Sequence, residues 1–383
     1  MNILSPELNL IFQISQSKPN VENIEKLVSQ ELNQDKLFAL SLANGVLPLL
    51  HKELSKHKHT PMLNKFKNSA NQIKYTNFFM SAQLLQLVLL LKENKINIIP
   101  IKGPLLAVHA YSDISLRPSS DLDILAKVKD LVAIAKILES MGYVSEKTTS
   151  AFTNPMVLKH FSDISFKHSQ TGLIVELHWK LLKSASSTLA DIETIFLNAI
   201  NIPFQNTSLL SLPIEEEFLY LCVHAAKHRF ERIEWMNDLN RLFDLYHDTY
   251  DWNKLLVIAQ KEGYLNPYLL ALLILKNHYK MNMSNTKTLK LMAQNKIHKL
   301  YIKVLTLHND NYILKKKNDG IRWMELYFSI NLEDSLTAKI SHFKAVLFPL
   351  YIDDIIKMKS LPKFLSFFIY TKRISRFIFN KNT

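Results

Sequence analysis

A single cysteine, Cys222, stands in 383 residues. One thiol excludes an internal disulfide, and it excludes the zinc sites built from paired cysteines. Glycine is scarce, with 6 in the whole chain, and proline is modest at 13. So few turn formers suit a helix-dominated protein with few tight turns. Long uncharged apolar runs are missing as well. None approaches the ~18–20 residues that a membrane-spanning helix needs. Met1–Ser15 has no basic stretch leading into an apolar core, so no secretory leader is expected and the cytoplasm is the expected location. Disorder is excluded by the 48% hydrophobic content, and the length suffices for two or three domains.

Charge is abundant but uneven. The formal net charge is +13. Residues 281–383 hold 18 Lys and Arg against 7 Asp and Glu, a net of +11, while the remainder is nearly balanced. A basic C-terminal third attracts nucleic acid, acidic lipid or an acidic partner, and a merely solvated lysine-rich surface is the competing reading. Within it, Leu361–Phe379 interleaves Phe364, Phe367, Phe368 and Phe377 with Lys363, Lys372, Arg373 and Arg376. That pattern suits a helix docked on its own protein or, as the lesser alternative, peripheral contact with a membrane surface.

The densest chemistry lies between Lys102 and Ala126, KGPLLAVHAYSDISLRPSSDLDILA. An apolar run, Ile96–Ile101, reads as a strand. Lys102-Gly103 is a turn, and Pro104–Tyr111 is a helix with proline in its first turn. Asp121–Ala126 reads as a second strand. On a strand, residues i and i+2 share a face, so Asp121 and Asp123 project together. Two adjacent carboxylates repel unless a cation lies between them. The competing reading gives Asp121 to a turn after Pro118-Ser119-Ser120 and pairs Asp123 with Arg117. Lys102 likewise reads as either a phosphate contact or a surface lysine.

Further on, Asp130–Met141 is expected to be a helix closed by Gly142, with Asp130 as its cap. Phe161–Lys167 and Leu173–His178 form an expected hairpin around Gln170-Thr171-Gly172, which would bring Glu176 beside the aspartate pair in one sheet. His178 would share the face of Glu176, and Trp179 would point into the core. Before the sheet, Ser81–Lys92 reads as a helix buried on several sides, and Gly45 as a helix C-cap. After it, Ile200–Leu212 reads as a linker. From Pro213 the pattern is helical, with Glu215, Glu216 and Glu217 at a helix N-terminus. His224, His228, Arg232, Trp235 and Asp238 fall at spacings of four, four, three and three, as along one helix stripe. His-x-x-x-His can bind zinc, but no third ligand is evident. A second soft boundary lies near Asn309–Asn318.

These elements together resemble the polymerase-β-type nucleotidyltransferase superfamily, and within it a bacterial family of uncharacterised nucleotidyltransferases. The resemblance rests on Lys102-Gly103, Tyr111, Arg117, Asp121-x-Asp123, then Glu176-Leu177-His178-Trp179, then His224-Ala225-Ala226-Lys227-His228 with Arg232, Trp235 and Asp238. It spans roughly residues 35–245. Pro104 follows Gly103 where many superfamily members carry a serine that touches phosphate, so Lys102 is the expected substitute.

The expected fold class is α/β (α+β): the resemblance implies a small mixed-sheet core over 93–205, and the residue pattern adds an N-terminal helical region over 1–92 and a helical C-terminal domain over 206–383. It implies Mg²⁺, with Mn²⁺ as substitute, held by Asp121, Asp123 and Glu176, which are also the expected catalytic residues. Lys102, Gly103 and Arg117 are the expected nucleotide and phosphate contacts, and His178, His228, Arg232 and Asp238 the candidate substrate contacts. The implied reaction moves a nucleoside monophosphate from an NTP to an unidentified hydroxyl acceptor and releases pyrophosphate. Two other readings stay open: an RNA-directed nucleotidyltransferase toxin, with RNA drawn to the basic region, and a non-catalytic nucleotide-binding module.

Overall fold

The computed structural model describes residues 4–56, 60–147, 149–181, 192–283, 285–307, 313, 320–347 and 351–360. The segment Leu361–Phe379 and most of the boundary expected near Asn309–Asn318 lie outside the described residues.

Five helices come first: α1 (Pro6–Ser15), α2 (Val21–Val28), α3 (Gln34–Ala43), α4 (Leu47–Lys56) and α5 (Thr60–Glu93). Ser5, Asn20 and Asn33 cap the first three by accepting backbone N–H bonds. At 34 residues, α5 is about 50 Å long. Its positions Leu84, Leu87, Val88 and Leu91 recur at helical spacing and are buried. Burial is one-sided, which corrects the expectation for this helix: Leu89 is 60% exposed.

The sheet has five strands in the order β1 (Ile99–Pro100), β2 (Asp121–Leu125), β5 (Ile174–His178), β4 (Asp163–His168) and β3 (Tyr143–Val144). Strands β2 and β5 are parallel and the other pairs antiparallel, so the sheet is mixed. The fold is the expected α+β. Between β1 and β2 runs α6 (Gly103–Tyr111), and α7 (Leu131–Ser140) packs Leu131, Ile134, Ala135 and Leu138 inward. β1 is shorter than the apolar run suggests; Pro100, which lacks an N–H, sits on this edge strand, and Ile101 N still donates to the Asp123 carbonyl at 3.0 Å. Asp130 precedes α7, but its side chain makes no capping bond; the entry is a short 3₁₀ turn over Val128–Asp130.

After α8 (Pro155–His160) and α9 (Ile192–Leu197), the stretch expected to be a linker is a β-hairpin, β6 (Ile200–Phe204) paired with β7 (Thr207–Ser211). Ile202, Phe204 and Leu209 are buried on its inner face. Helices α10 (Ile214–Lys227), α11 (Ile233–Tyr246), α12 (Trp252–Lys261), α13 (Leu265–Tyr279), α14 (Thr286–Met292), α15 (Asn295–Leu307), α16 (Gly320–Leu332), α17 (Leu336–Leu347) and α18 (Ile352–Ser360) follow.

Two hydrophobic cores result. One holds the sheet with the C-terminal half of α5 and with α7. The other joins α1–α4 to α10–α15, so the first and last thirds of the chain share one interior. α5 serves both, with Phe66 and Ala70 in the helical core and Met80–Leu91 against the sheet.

The expected single stripe from His224 to Asp238 is broken. α10 ends at Lys227 and α11 begins at Ile233. Arg229 and Phe230 between them are left-handed, with φ of 58° and 53°. Such backbone costs non-glycine residues free energy. The complete burial of Phe230, together with ion pairs from Arg229 to Glu231 and Glu325, offsets that cost. No local side chain caps α11. The α3–α4 turn does so from a distance: Asn44 Oδ1 accepts from Ile233 N at 3.2 Å and Asn44 O accepts from Glu234 N at 3.1 Å. Among the described residues, no helix is long and apolar enough to cross a membrane.

Candidate active site

Parallel pairing of β2 with β5 sets Asp123 directly beside Glu176, with Asp121 beside Ile174 and Leu125 beside His178. One face of two adjacent strands thus carries Asp121, Asp123, Glu176 and His178. Asp123 is the buried centre. Its Oδ1 lies 3.0 Å from His178 Nε2 and its Oδ2 lies 3.0 Å from Lys102 Nζ. His178 Nε2 is also 3.4 Å from Glu176 Oε2. The Glu176 side chain keeps 31% exposure, against 2% for Asp123, so it forms the solvent edge of the group.

The electrostatics follow from this geometry. Burial alone would raise the Asp123 carboxyl, but the His178 hydrogen bond and the Lys102 charge hold it well below the usual carboxylate range. Burial opposes a charged imidazole at His178, yet its bonds to Asp123 and Glu176 push it up to about 9. Asp121 is different. Burial and the Asp123 charge raise its carboxyl, Lys102 opposes this, and Glu176 adds to the rise. Three carboxylates therefore face two cations.

Ligand atoms of Asp123, Glu176 and His178 lie within 4.8 Å of one another, a group with the composition of a metal site; Asp121 is not among the three. The carboxylate oxygens are the hard donors that Mg²⁺ and Mn²⁺ take. His178, held protonated by its carboxylates, acts as a donor that orients Asp123.

Lys102 is positioned from three sides. It precedes α6, lies against Asp123, and its charge interacts with the buried phenol of Tyr220 on α10. Gly103 has φ +62°, and a Cβ there would come 3.4 Å from the Asp121 carbonyl oxygen. Both the backbone angle and the close approach favour glycine at this position. The adjacent Ser119 hydroxyl is buried without a hydrogen-bond partner among the described residues. The loop that carries it is fixed by Asn77 of α5. Asn77 Nδ2 donates to the Ile114 and Arg117 carbonyls at 2.7 and 2.9 Å, and its Oδ1 accepts from Ser119 N at 3.2 Å.

Arg117 faces away from the carboxylates on β2. Its Nε and Nη2 donate to Asp238 Oδ1 and Oδ2 at 2.8 and 2.9 Å, a bidentate pair. Tyr111 donates to the same Asp238 oxygen at 2.7 Å, and the Arg241 guanidinium lies 4.4 Å from the Tyr111 ring centroid. Glu234 is 3.7 Å from Arg117, and burial pushes it up to about 7 against the pull of Arg117 and Arg232. Tyr111, Arg117 and Asp238 thus form one closed cluster. Arg232 lies at its edge, paired with Glu234 at 2.6 Å and 37% exposed.

His224 and His228 come together although the helix is broken. Their ring centroids are 4.8 Å apart, and Trp235 lies 5.6 and 4.9 Å from them. Burial and the Lys102 charge hold His224 well below the usual histidine range, so it is neutral. Trp179 is buried, its indole N–H donating to the Leu158 carbonyl at 3.1 Å. Tyr220 and Asn77 were not among the residues singled out from sequence. Asn77 had a signal, since it and Ser81 interrupt the apolar stripe of α5 at a spacing of four; Tyr220 had none.

Against known proteins, a family model described as an uncharacterised nucleotidyltransferase matches residues 30–280. No curated protein and no solved structure matches the chain. The matched segment covers well over half of the chain and takes in the lysine-glycine turn, both acidic strands and α10–α13. The chain belongs to this family of nucleotidyltransferases, enzymes that transfer phosphorus-containing groups and take a nucleotide as substrate.

Proposed function

We propose that this protein transfers a nucleoside monophosphate from an NTP to a hydroxyl acceptor, using a divalent cation held by Asp121, Asp123 and Glu176. The observation that carries this reading is the pairing of Asp123 with Glu176 across adjacent strands, with Lys102 at hydrogen-bonding distance from Asp123. Mg²⁺, or Mn²⁺ in its place, supplies charge neutralisation for the polyphosphate and for the attacking oxygen. The chain's own residues do the rest. The N-terminus of α6, opened by Gly103, offers backbone N–H groups to a phosphate. Lys102 adds a positive charge, and the unpartnered Ser119 hydroxyl adds a donor.

In the reaction, the acceptor oxygen forms a bond to the α-phosphorus as the bond from that phosphorus to the oxygen leading to the β-phosphate breaks. Pyrophosphate leaves with the bonding pair, and Glu176, beside Asp123 and more exposed than it, takes the hydroxyl proton. His178 positions Asp123. Arg117, engaged by Asp238, serves the site by holding the loop that carries Ser119 and leads into β2.

The test is transfer of label from α-phosphate-labelled NTPs to a pool of cellular acceptors in Mg²⁺ or Mn²⁺. Wild type should label an acceptor, and Asp121→Asn and Glu176→Gln should each lower the rate by at least about 10²-fold, the size typical for loss of an electrostatic group at the reacting centre. Full transfer by Asp121→Asn would refute the metal assignment.

A further inference from the structure

A second concave site lies outside the segment that the family model matches. Helices α15, α16 and α17 border an open cleft of about 550 Å³. Lys296, Lys299 and Lys303 line it from α15, Tyr327 and Asn331 from α16, and Lys339 from α17. The α15 lysines follow each other at three and four residues, so they share one helix face. Four ammonium groups in one cleft repel each other, and the nearby carboxylates do little to relieve this. Glu333 accepts from His342 Nδ1 at 3.0 Å, and Asp334 accepts the Leu265 and Asn266 backbone N–H groups at 2.6 and 2.8 Å. Lys296 donates to the Glu333 carbonyl at 3.1 Å and Lys339 to Asn331 Oδ1 at 3.5 Å, both neutral acceptors. Among the described residues, no carboxylate forms an ion pair with Lys299 or Lys303. Burial and the Lys339 charge draw Lys296 below the usual lysine range against the opposing pull of Asp334 and Glu333.

Beside these charges stands an aromatic face. Tyr327 is 52% exposed, and Lys303 Nζ lies over one face of its ring, 5.9 Å from the centroid. Lysines that track a backbone beside an open aromatic ring make up the elementary unit of single-stranded polynucleotide binding, in which phosphates take the charges and a base stacks on the ring. A planar membrane surface cannot enter a concave cleft, and an acidic peptide has no need of the ring.

We propose that this cleft binds a single-stranded polynucleotide, with Lys296, Lys299, Lys303 and Lys339 on its phosphates and Tyr327 under a base. That the bound strand is also the hydroxyl acceptor rests on the transferase reading above; binding in the cleft does not.

The test uses the full chain in EDTA without NTP, so that the carboxylate site has no part in the result. Fluorescence anisotropy with labelled oligouridine and oligothymidine of about twelve nucleotides is recorded across a salt series. Four phosphate contacts give a slope of log affinity against log salt of about −3. Lys299→Gln/Lys303→Gln should flatten the slope by about 1.4 and weaken binding at least tenfold. Tyr327→Ala should weaken it about tenfold with the slope unchanged. All three positions face solvent or the cleft rim, and unchanged melting temperatures would confirm that the variants fold. Binding of both oligomers places recognition in phosphate and base, and binding of oligouridine alone adds the 2′-hydroxyl; either supports the proposal. Absence of oligonucleotide binding at 50 mM salt, binding indifferent to these substitutions, or capture of anionic vesicles in place of the oligomers would overturn it.

Discussion

Two charged clusters lie on either side of the loop between Arg117 and Asp121, and they are built on opposite principles. In the Arg117 cluster, Asp238 receives a bidentate guanidinium and a tyrosine hydroxyl, and Arg117 and Asp238 are 5% and 1% exposed. Its charges are matched within the protein. In the Asp123 cluster, three carboxylates face Lys102 and His178, Glu176 reaches solvent, and Asp121 is pushed toward its neutral form by burial and, after it, by its acidic neighbours. The first arrangement gains stability from closure. The second tolerates repulsion, which a fold keeps where a ligand is to be bound. Equal density of charge therefore does not mean equal role, and the distinction lies in whether the charges are matched internally.

The contrast can be broken by substitution. Arg117→Ala would leave Asp238 buried without its ion partner and should cost about 3–5 kcal/mol in chemical denaturation. Asp121→Asn is expected to do the reverse with chelator present. Since the folded-state carboxyl is raised, its ionised form weakens the fold at neutral pH, and the amide should give a small gain in melting temperature while removing activity. A loss from Asp121→Asn as large as that from Arg117→Ala would erase the contrast.

The next largest effect concerns pH. His178 is raised from 6.5 to about 9, so its bonds to Asp123 and Glu176 contribute all of their stability below about pH 6.5 and lose it as pH rises through about 9. A shift of this size corresponds to roughly 3 kcal/mol. In EDTA, wild type should lose that much more than His178→Gln between pH 6 and 10, as read from urea midpoints; parallel pH profiles would contradict the pairing.

Gly45→Ala comes next. The position has φ +69°, and a Cβ would overlap the Glu234 carboxylate, so a loss of about 2 kcal/mol is expected. It acts on the closed cluster only, through the turn that caps α11. The smallest is Tyr220→Phe, which removes the buried phenol that interacts with the Lys102 charge and should cost about 1 kcal/mol, with its larger effect on the KM for NTP.

What the sequence makes legible follows the same division. The open cluster is carried by two short motifs, on strands whose alternation is plain, and only the pairing of β2 with β5 has to be supplied. The closed cluster joins Arg117 to Asp238 across 121 residues, and its charged side chains look identical in sequence to phosphate contacts. Two left-handed residues without glycine break α10 from α11, and Asn44 caps α11 from the far end of the chain, so neither helix boundary has a local signal. The β6–β7 hairpin is different. Its alternation of Ile202 and Phe204 can be read, but Pro203 makes it look like a linker, and the left-handed turn at Gln205, φ 52°, is made without the glycine that would mark it.

The central claim is that the acidic strands hold a cation and, through it, a nucleotide. Calorimetric titration of each NTP, with and without Mg²⁺, into wild type and an Asp121→Asn/Asp123→Asn variant tests it most directly. Wild type should bind an NTP only with Mg²⁺ present, and the variant should not bind it. Equal binding by the two proteins, or binding indifferent to Mg²⁺, would contradict it.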